Sequence, residues 1–131
     1  MVFNLLADKG TTVWSIEADA SVFEALELMA EKNLGALVVL EDGALAGIMS
    51  ERDYARKVIL LDRDSRDTQV KEIMTRDVIT VTPADSLHHC IQLMTDKHIR
   101  HLPVIEEGAL GGVISIGDVM KGVIGEKEAV I

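Results

Sequence analysis

A shift of 65 positions lays residues 21–54 over 86–119 without a gap, and 13 of the 34 aligned positions are identical. They are Ser21, Leu28, Met29, Lys32, Leu37, Val39, Glu41, Gly43, Ala44, Leu45, Gly47, Ser50 and Asp53, each meeting its own residue type. Near the end of each copy, Gly47-Ile48-Met49-Ser50-Glu51-Arg52-Asp53 answers Gly112-Val113-Ile114-Ser115-Ile116-Gly117-Asp118. The chain is an internal duplication, and this restricts its fold more than any other feature. A unit of such length does not bury a full core alone. The two copies are therefore expected to pack about an approximate two-fold axis, with related grooves at their seam.

Composition narrows the functions open to such a chain. At 131 residues it is one domain by length, which the repeat divides into halves rather than independent units. With 48% hydrophobic but only 3% aromatic residues, the core must be aliphatic and methionine-rich, and rings on which bases could stack are scarce. The net charge of −9 opposes nucleic acids and anionic membranes alike, so any bound phosphate needs a local cluster of donors. The longest mostly apolar run, residues 34–40, is too short to span a bilayer. The amino terminus shows no basic region followed by an apolar stretch and cleavage site, and the expected location is the cytoplasm. Cys90, the single cysteine, falls on the apolar face of a predicted helix and reads as a buried structural thiol.

Read in order, Val13-Trp14-Ser15-Ile16 is extended, and Ser21-Val22-Phe23-Glu24 opens a helix as a capping box. Val22, Ala25, Leu26 and Met29 hold helical spacing. Strands follow at 36–40 and 45–49 around the turn Glu41-Asp42-Gly43, and Ser50 starts a helix through about Lys57. The second copy repeats this: a strand at 78–81, a helix with Leu87, Cys90, Ile91 and Met94 inward, strands at 101–105 and 110–114, and a last helix from Ser115. Thr82-Pro83 breaks the first strand from its helix, and Glu106-Glu107-Gly108 is the hairpin turn. Asp62-Arg63-Asp64-Ser65-Arg66-Asp67 alternates in sign and reads as an exposed connector. Val70-Lys71-Glu72-Ile73-Met74 is a short helical lead-in, with its counterpart at 3–7.

Each copy thus ends a strand with glycine, two apolar residues and serine, then places aspartate one turn into a helix. Such an entry offers free backbone N–H groups and a partial positive charge to an anion. Serine adds a hydroxyl, and an aspartate there accepts two hydrogen bonds from a ribose diol. The same Ser-x-x-Asp spacing is equally a helix capping box that needs no ligand. Its duplication at matched positions beside glycine favours the nucleotide.

The repeat order and the two Gly-h-h-Ser-x-x-Asp motifs, with Val70-Lys71-Glu72-Ile73-Met74 and Ile99-Arg100-His101-Leu102-Pro103-Val104, resemble the CBS domain, and two in tandem resemble a Bateman module. The resemblance runs from about Thr11 to Val123. It implies an α/β (α+β) fold of two β-α-β-β-α repeats related by a pseudo-two-fold. The expected division is 1–60 for the first repeat with its lead-in, 61–69 for the polar connector, 70–124 for the second repeat and 125–131 for a tail. It also implies two clefts for adenosine-containing ligands such as AMP, ADP, ATP, NAD or S-adenosylmethionine, dimers in which four repeats form a flat disc, and regulation rather than catalysis.

Carried over residue by residue, the resemblance makes Asp118 the ribose acceptor and Ser115 a polar contact, with Thr80, Val78 and Ile79 lining the adenine. Asp53 and Ser50 would do the same in the other cleft. Arg100 and His101 would approach phosphates, and Pro103, lacking an N–H, suits a strand end or edge beside a cleft. Arg52 lies within the first motif, but its counterpart is Gly117, and Gly35-Ala36 stands where the second repeat has Arg100-His101. The two sites are expected to differ.

Other chemistries fit less well. His88 and His89 are adjacent on a helix and point about 100° apart, unlike two ligands of one ion. His98 and His101 straddle a helix end and a strand start. No serine has an evident histidine base, and Asp62 and Asp64 belong to a mobile connector rather than a cleft. The expectation is a non-enzymatic sensor of energy or redox state, without a metal cofactor, acting as a homodimer on a separate regulated protein. A ligand-free dimerisation scaffold is the alternative.

Overall fold

The computed structural model describes residues 1–10 and 12–130; Thr11, where the family resemblance begins, and Ile131, the end of the expected tail, lie outside the described residues. In chain order the elements are α1 (Val2–Lys9), β1 (Ser15–Glu17), α2 (Val22–Lys32), β2 (Ala36–Glu41), β3 (Ala44–Ser50) and α3 (Glu51–Tyr54), which continues as a π-helical turn (Ala55–Ile59). Then come α4 (Val70–Ile73), α5 (Leu87–Lys97), β4 (His101–Glu106), β5 (Ala109–Ser115) and α6 (Ile116–Val130). They form two compact units, Trp14–Val78 and a second made of Met1–Val13 with Ile79–Ile131.

In the Trp14–Val78 unit β1 lies parallel to β2, which pairs antiparallel with β3. Asp42 and Gly43 both take positive φ, 52° and 79°, giving the tight turn whose twist matches the strands it joins. Ser21 Oγ accepts the Glu24 N–H at 3.1 Å to start α2, and Asn33 stops it in the left-handed conformation. Val22, Ala25 and Met29 bury one face of α2 with Leu37, Val39 and Met49. The second repeat reproduces these devices. Glu107 and Gly108 take the turn at φ 51° and 79°, Ser86 caps α5, and His98 stands in left-handed conformation where the first repeat has Asn33. Its core joins Leu87, Cys90 and Met94 to Leu102, Val104 and Ile114. Burial pushes the Cys90 thiol above its ordinary pKa, with the nearby Asp85 charge adding to the effect.

The lead-in helices are crossed. Residues 1–60 were expected to group as one repeat, yet α1 packs with the second: Val2, Leu5 and Leu6 share a cluster with Leu102, Val104 and Ile114. Reciprocally, Val70, Ile73 and Met74 around α4 complete the core of the first. Matched glycines receive them. A Cβ on Gly47 would lie 2.7 Å from Thr75 O and 2.8 Å from Met74 Sδ, and one on Gly112 would lie 2.7 Å from Leu6 Cδ2.

The first strand of the second repeat is a single residue rather than 78–81. Val81 N–H donates to Pro103 O at 3.0 Å and Ile105 N–H to Val81 O at 2.8 Å, a parallel bridge. The next bond upstream in such a ladder would run from the N–H of residue 103 to the carbonyl of residue 79, and proline has none to give. Val38 holds that place in the first repeat, where β1 runs for three residues.

Three further expectations are revised. The connector is structured. Thr68 is buried, its hydroxyl donates to Asp64 O at 2.8 Å, and the N–H groups of Phe23 and Val22 donate to Ser65 O and Thr68 O. Asp62 and Asp64 line a shallow depression of about 380 Å³ with Tyr54, Val58, Ile59, Arg63 and Ser65. Lastly, residues 125–130 prolong α6 instead of forming a separate tail. At the connector's far end, Gln69 N–H and Arg63 both donate to Glu72, in that order of effect, and hold its carboxyl below the ordinary value.

Candidate functional site

The hairpins place the motif residues. Each second strand runs to its serine, and the next residue begins a helix because the serine caps it. In the first repeat Ser50 N–H donates to Asp53 Oδ2 at 2.9 Å, Ser50 Oγ to the same oxygen at 3.1 Å, and Asp53 N–H returns to Ser50 Oγ at 3.1 Å. In the second, Ser115 N–H donates to Asp118 Oδ2 at 2.8 Å and Asp118 N–H to Ser115 Oγ at 3.1 Å. Both copies therefore build the reciprocal cap, an arrangement that contributes about 1 kcal/mol to such a helix start. Each carboxylate closes its own helix.

Strand register brings further residues to the same end of the hairpin. His101 lies opposite Ser115, and Ile116 N–H donates to Arg100 O at 2.9 Å, so Arg100, His101, Ser115 and Asp118 gather at the start of α6. Ala36 lies opposite Ser50, and Glu51 N–H donates to Gly35 O at 3.1 Å. The same scaffold thus presents arginine and histidine in one copy and glycine and alanine in the other. Arg100 is exposed, whereas His101, Ser115 and Asp118 are half-buried. Fifteen residues of aligned peptide dipoles follow Ser115, giving this end of α6 a partial positive charge.

Thr80 is exposed beside the Val81 bridge, and Ile79 packs on the core of the second repeat. Val78 falls in the Trp14–Val78 unit. Pro103 is not at a strand end but on the edge of the two-stranded β4–β5 sheet. It is buried at the third position of β4, and its carbonyl and absent N–H both face Val81, so the β4–β5 ladder loses nothing. Arg52 is exposed on α3. Among the described residues, no three His, Cys, Asp or Glu side chains stand together as a metal site.

Two residues absent from the expected set contact Asp53. Lys57 Nζ lies 3.0 Å from Asp53 Oδ1 and also donates to Ile73 O at 2.9 Å, and Thr75 Oγ1 is 3.4 Å from Asp53 Oδ1. The Lys57 contact had a sequence signal, since opposite charges four apart on a helix face each other. Thr75 had none, because only the packing of α4 brings it there.

Two repeats of parallel and antiparallel strands with capped helices, each completed by the other's lead-in, define a tandem-repeat α+β module. The chain belongs to the CBS domain family, whose model matches residues 10–60 and 70–125. A mitochondrial CBS domain-containing protein of Arabidopsis thaliana, CBSX3, is 46% identical over 122 residues, covering 89% of this chain, which spans 59% of the relative's length. The Bacillus subtilis CBS domain-containing protein YhcV is 34% identical over 108 residues, covering 82% of this chain and 76% of its own. The solved structure of a candidate signal-transduction protein with CBS domains from Burkholderia ambifaria is 49% identical, with a TM-score of 0.89 over 92% of this chain and 90% of that one.

Proposed function

We propose that this chain is a regulatory, non-enzymatic module that binds an adenine nucleotide, AMP, ATP or NAD, and reports energy or redox state to a separate protein. The observation that carries this reading is the gathering of Arg100, His101, Ser115 and Asp118 at the amino end of α6. A cation, backbone N–H groups and a helix dipole suit phosphate oxygens, and a carboxylate suits a sugar diol. Ile79 and Thr80, in the same unit as Ser115 and Asp118, are read as the apolar and hydroxyl surface for adenine. Ser50, Asp53, Arg52 and Ala36 are the corresponding positions of the first repeat. The signal is a population shift, limited to the ligand's differential affinity for two arrangements of the chain. No helix among the described residues is long and apolar enough to cross a membrane, and a cytoplasmic setting fits the charge balance. CBSX3 is described as mitochondrial.

Ile116, Met120 and Ile124, four apart on α6, are all exposed, an apolar row that suits a homodimer. A cyanobacterial CBS-CP12 protein 32% identical to this chain is described as hexameric, and sedimentation equilibrium decides the state of this one. The reciprocal caps also favour a second reading, a ligand-free dimerisation scaffold, because they account for both Ser-x-x-Asp motifs without a nucleotide.

Titration calorimetry of ligand-stripped protein with AMP, ADP, ATP, NAD and S-adenosylmethionine separates the two. Nucleotide at a hundred times its Kd should stabilise the chain by about 2.7 kcal/mol, a shift of several degrees in melting temperature. Asp118→Ala should weaken binding by about 1 to 3 kcal/mol as the sugar hydroxyls lose their acceptor. Unchanged binding with a stability loss of about 1 kcal/mol would reduce Asp118 to a cap.

A further inference from the structure

Lys57, in the π-helical turn, joins the first motif to α4, 16 residues further along the chain. Its Nζ lies 3.0 Å from Asp53 Oδ1 and donates at 2.9 Å to Ile73 O, one of the last carbonyls of α4, which have no partner inside that helix. Thr75 Oγ1 makes a second tie to Oδ1 at 3.4 Å. The other oxygen, Oδ2, takes Ser50 N–H and Ser50 Oγ. Asp53 thus meets four donors within its own unit, about as many as a carboxylate accommodates, and its side chain is 12% exposed. A ribose diol reaching this carboxylate brings two O–H donors and must take the places of two that are there. Ser50 yields only by uncapping α3. The Lys57 side chain is 42% exposed, so its ammonium exchanges the carboxylate for water at small cost, and Thr75 leaves the same oxygen. The segment after α4 then loses its side-chain tie to Asp53 and rests on its backbone bridge to β3, the bonds between Ile48 and Thr75 at 3.0 and 2.9 Å. Val78 ends this unit three residues later, and Ile79 begins the other.

We propose that Lys57 and Thr75 set the affinity of the first motif and carry its signal: they hold Asp53 in place of sugar hydroxyls, and a nucleotide that takes Asp53 releases residues 73–75. The inference rests on the nucleotide reading above and deepens it, naming the contact through which a ligand at this motif loosens the stretch of chain that leads into the second repeat. The coupling is reciprocal, so whatever frees the segment from Asp53 also tightens nucleotide binding there.

Amide NMR on the isotopically labelled full chain, titrated with AMP, tests this. In the native chain the Ser50 and Asp53 amides, which bond across the cap, should shift with AMP, and exchange of the Thr75 amide should accelerate about threefold or more over the same range. In the double variant Lys57→Met/Thr75→Val, checked for a cooperative melt, the midpoint of those shifts should fall about fivefold, because no donor has to leave Oδ1. Asp53→Asn, which keeps an acceptor for Ser50 N–H, should speed Thr75 exchange with no ligand present. Shifts at Ser50 and Asp53 with Thr75 exchange unchanged, or Asp53→Asn with native exchange, would overturn the release. An unchanged or higher midpoint in a well-folded double variant would overturn the competition; should that variant fail to fold, Thr75 exchange in the native chain and in Asp53→Asn decides. A response confined to Ser115 and Asp118 would overturn this inference and leave the nucleotide reading standing. No response at either motif to AMP, ADP, ATP, NAD or S-adenosylmethionine would overturn that reading as well.

Discussion

At the scale of single residues, the matched glycines show how one position is used twice with unequal tolerance. Gly47 faces the backbone oxygen of Thr75, which is fixed by the reciprocal bonds between Ile48 and Thr75 at 3.0 and 2.9 Å. Gly112 faces the end of the Leu6 side chain, which can turn aside more readily than a peptide group. Gly47→Ala should therefore destabilise by about 1 to 3 kcal/mol, and Gly112→Ala by less than about 1 kcal/mol. Chemical denaturation of the two variants checks the order; equal costs would mean that Leu6 is held as rigidly as a peptide group. The glycines stood out in the sequence as the heads of the two motifs. What they accommodate did not, because the neighbour that excludes a side chain lies 27 residues away at Met74 in one case and at Leu6 in the other.

At the scale of elements, the sequence was most legible where a local rule decides the outcome. Helical spacing placed Val22, Ala25, Met29, Leu87, Cys90 and Met94 inward, and Asp-Gly and Glu-Gly marked both hairpin turns. It was least legible where one element's limits are set by another. Pro103 is read locally as a strand-end or edge residue, yet its effect falls on residues 78–81, whose ladder it cuts to one bridge. Pro103→Val restores the donor, and the new amide at 103 should be protected from hydrogen exchange by a bond to the carbonyl of Ile79. An amide that exchanges freely would show that another constraint keeps 78–80 out of the sheet. The π-helical turn after α3 has no sequence signature for a similar reason, since nothing local distinguishes Ala55–Ile59 from α-helix. Within the candidate site, serine, aspartate, arginine and histidine were legible from type and position, whereas the four-donor shell of Asp53 depends on where α4 packs.

At the scale of the whole molecule, the crossed lead-ins tie each repeat to sequence outside it. Val2, Leu5 and Leu6 are 0%, 9% and 9% exposed, so their loss removes three side chains from the core of the second repeat. At about 1.5 to 3 kcal/mol for each buried side chain, deletion of residues 1–10 should cost on the order of 5 kcal/mol. That loss is comparable with the whole stability of a small domain. Hydrogen exchange should then rise across β4, β5 and α5 while β2, β3 and α2 keep their protection. Uniform loss of protection would mean that the units unfold as one.

The crossing also bears on how such a chain could have arisen. A half-length forerunner carrying one lead-in and one repeat has both parts, and a lead-in that packs on a neighbouring copy leaves its own repeat waiting for another's. Two separate polypeptides trading their first helices satisfy that demand, as domain-swapped partners do. Gene fusion would then have joined a pair already interlocked, turning an exchange between molecules into one within a single backbone.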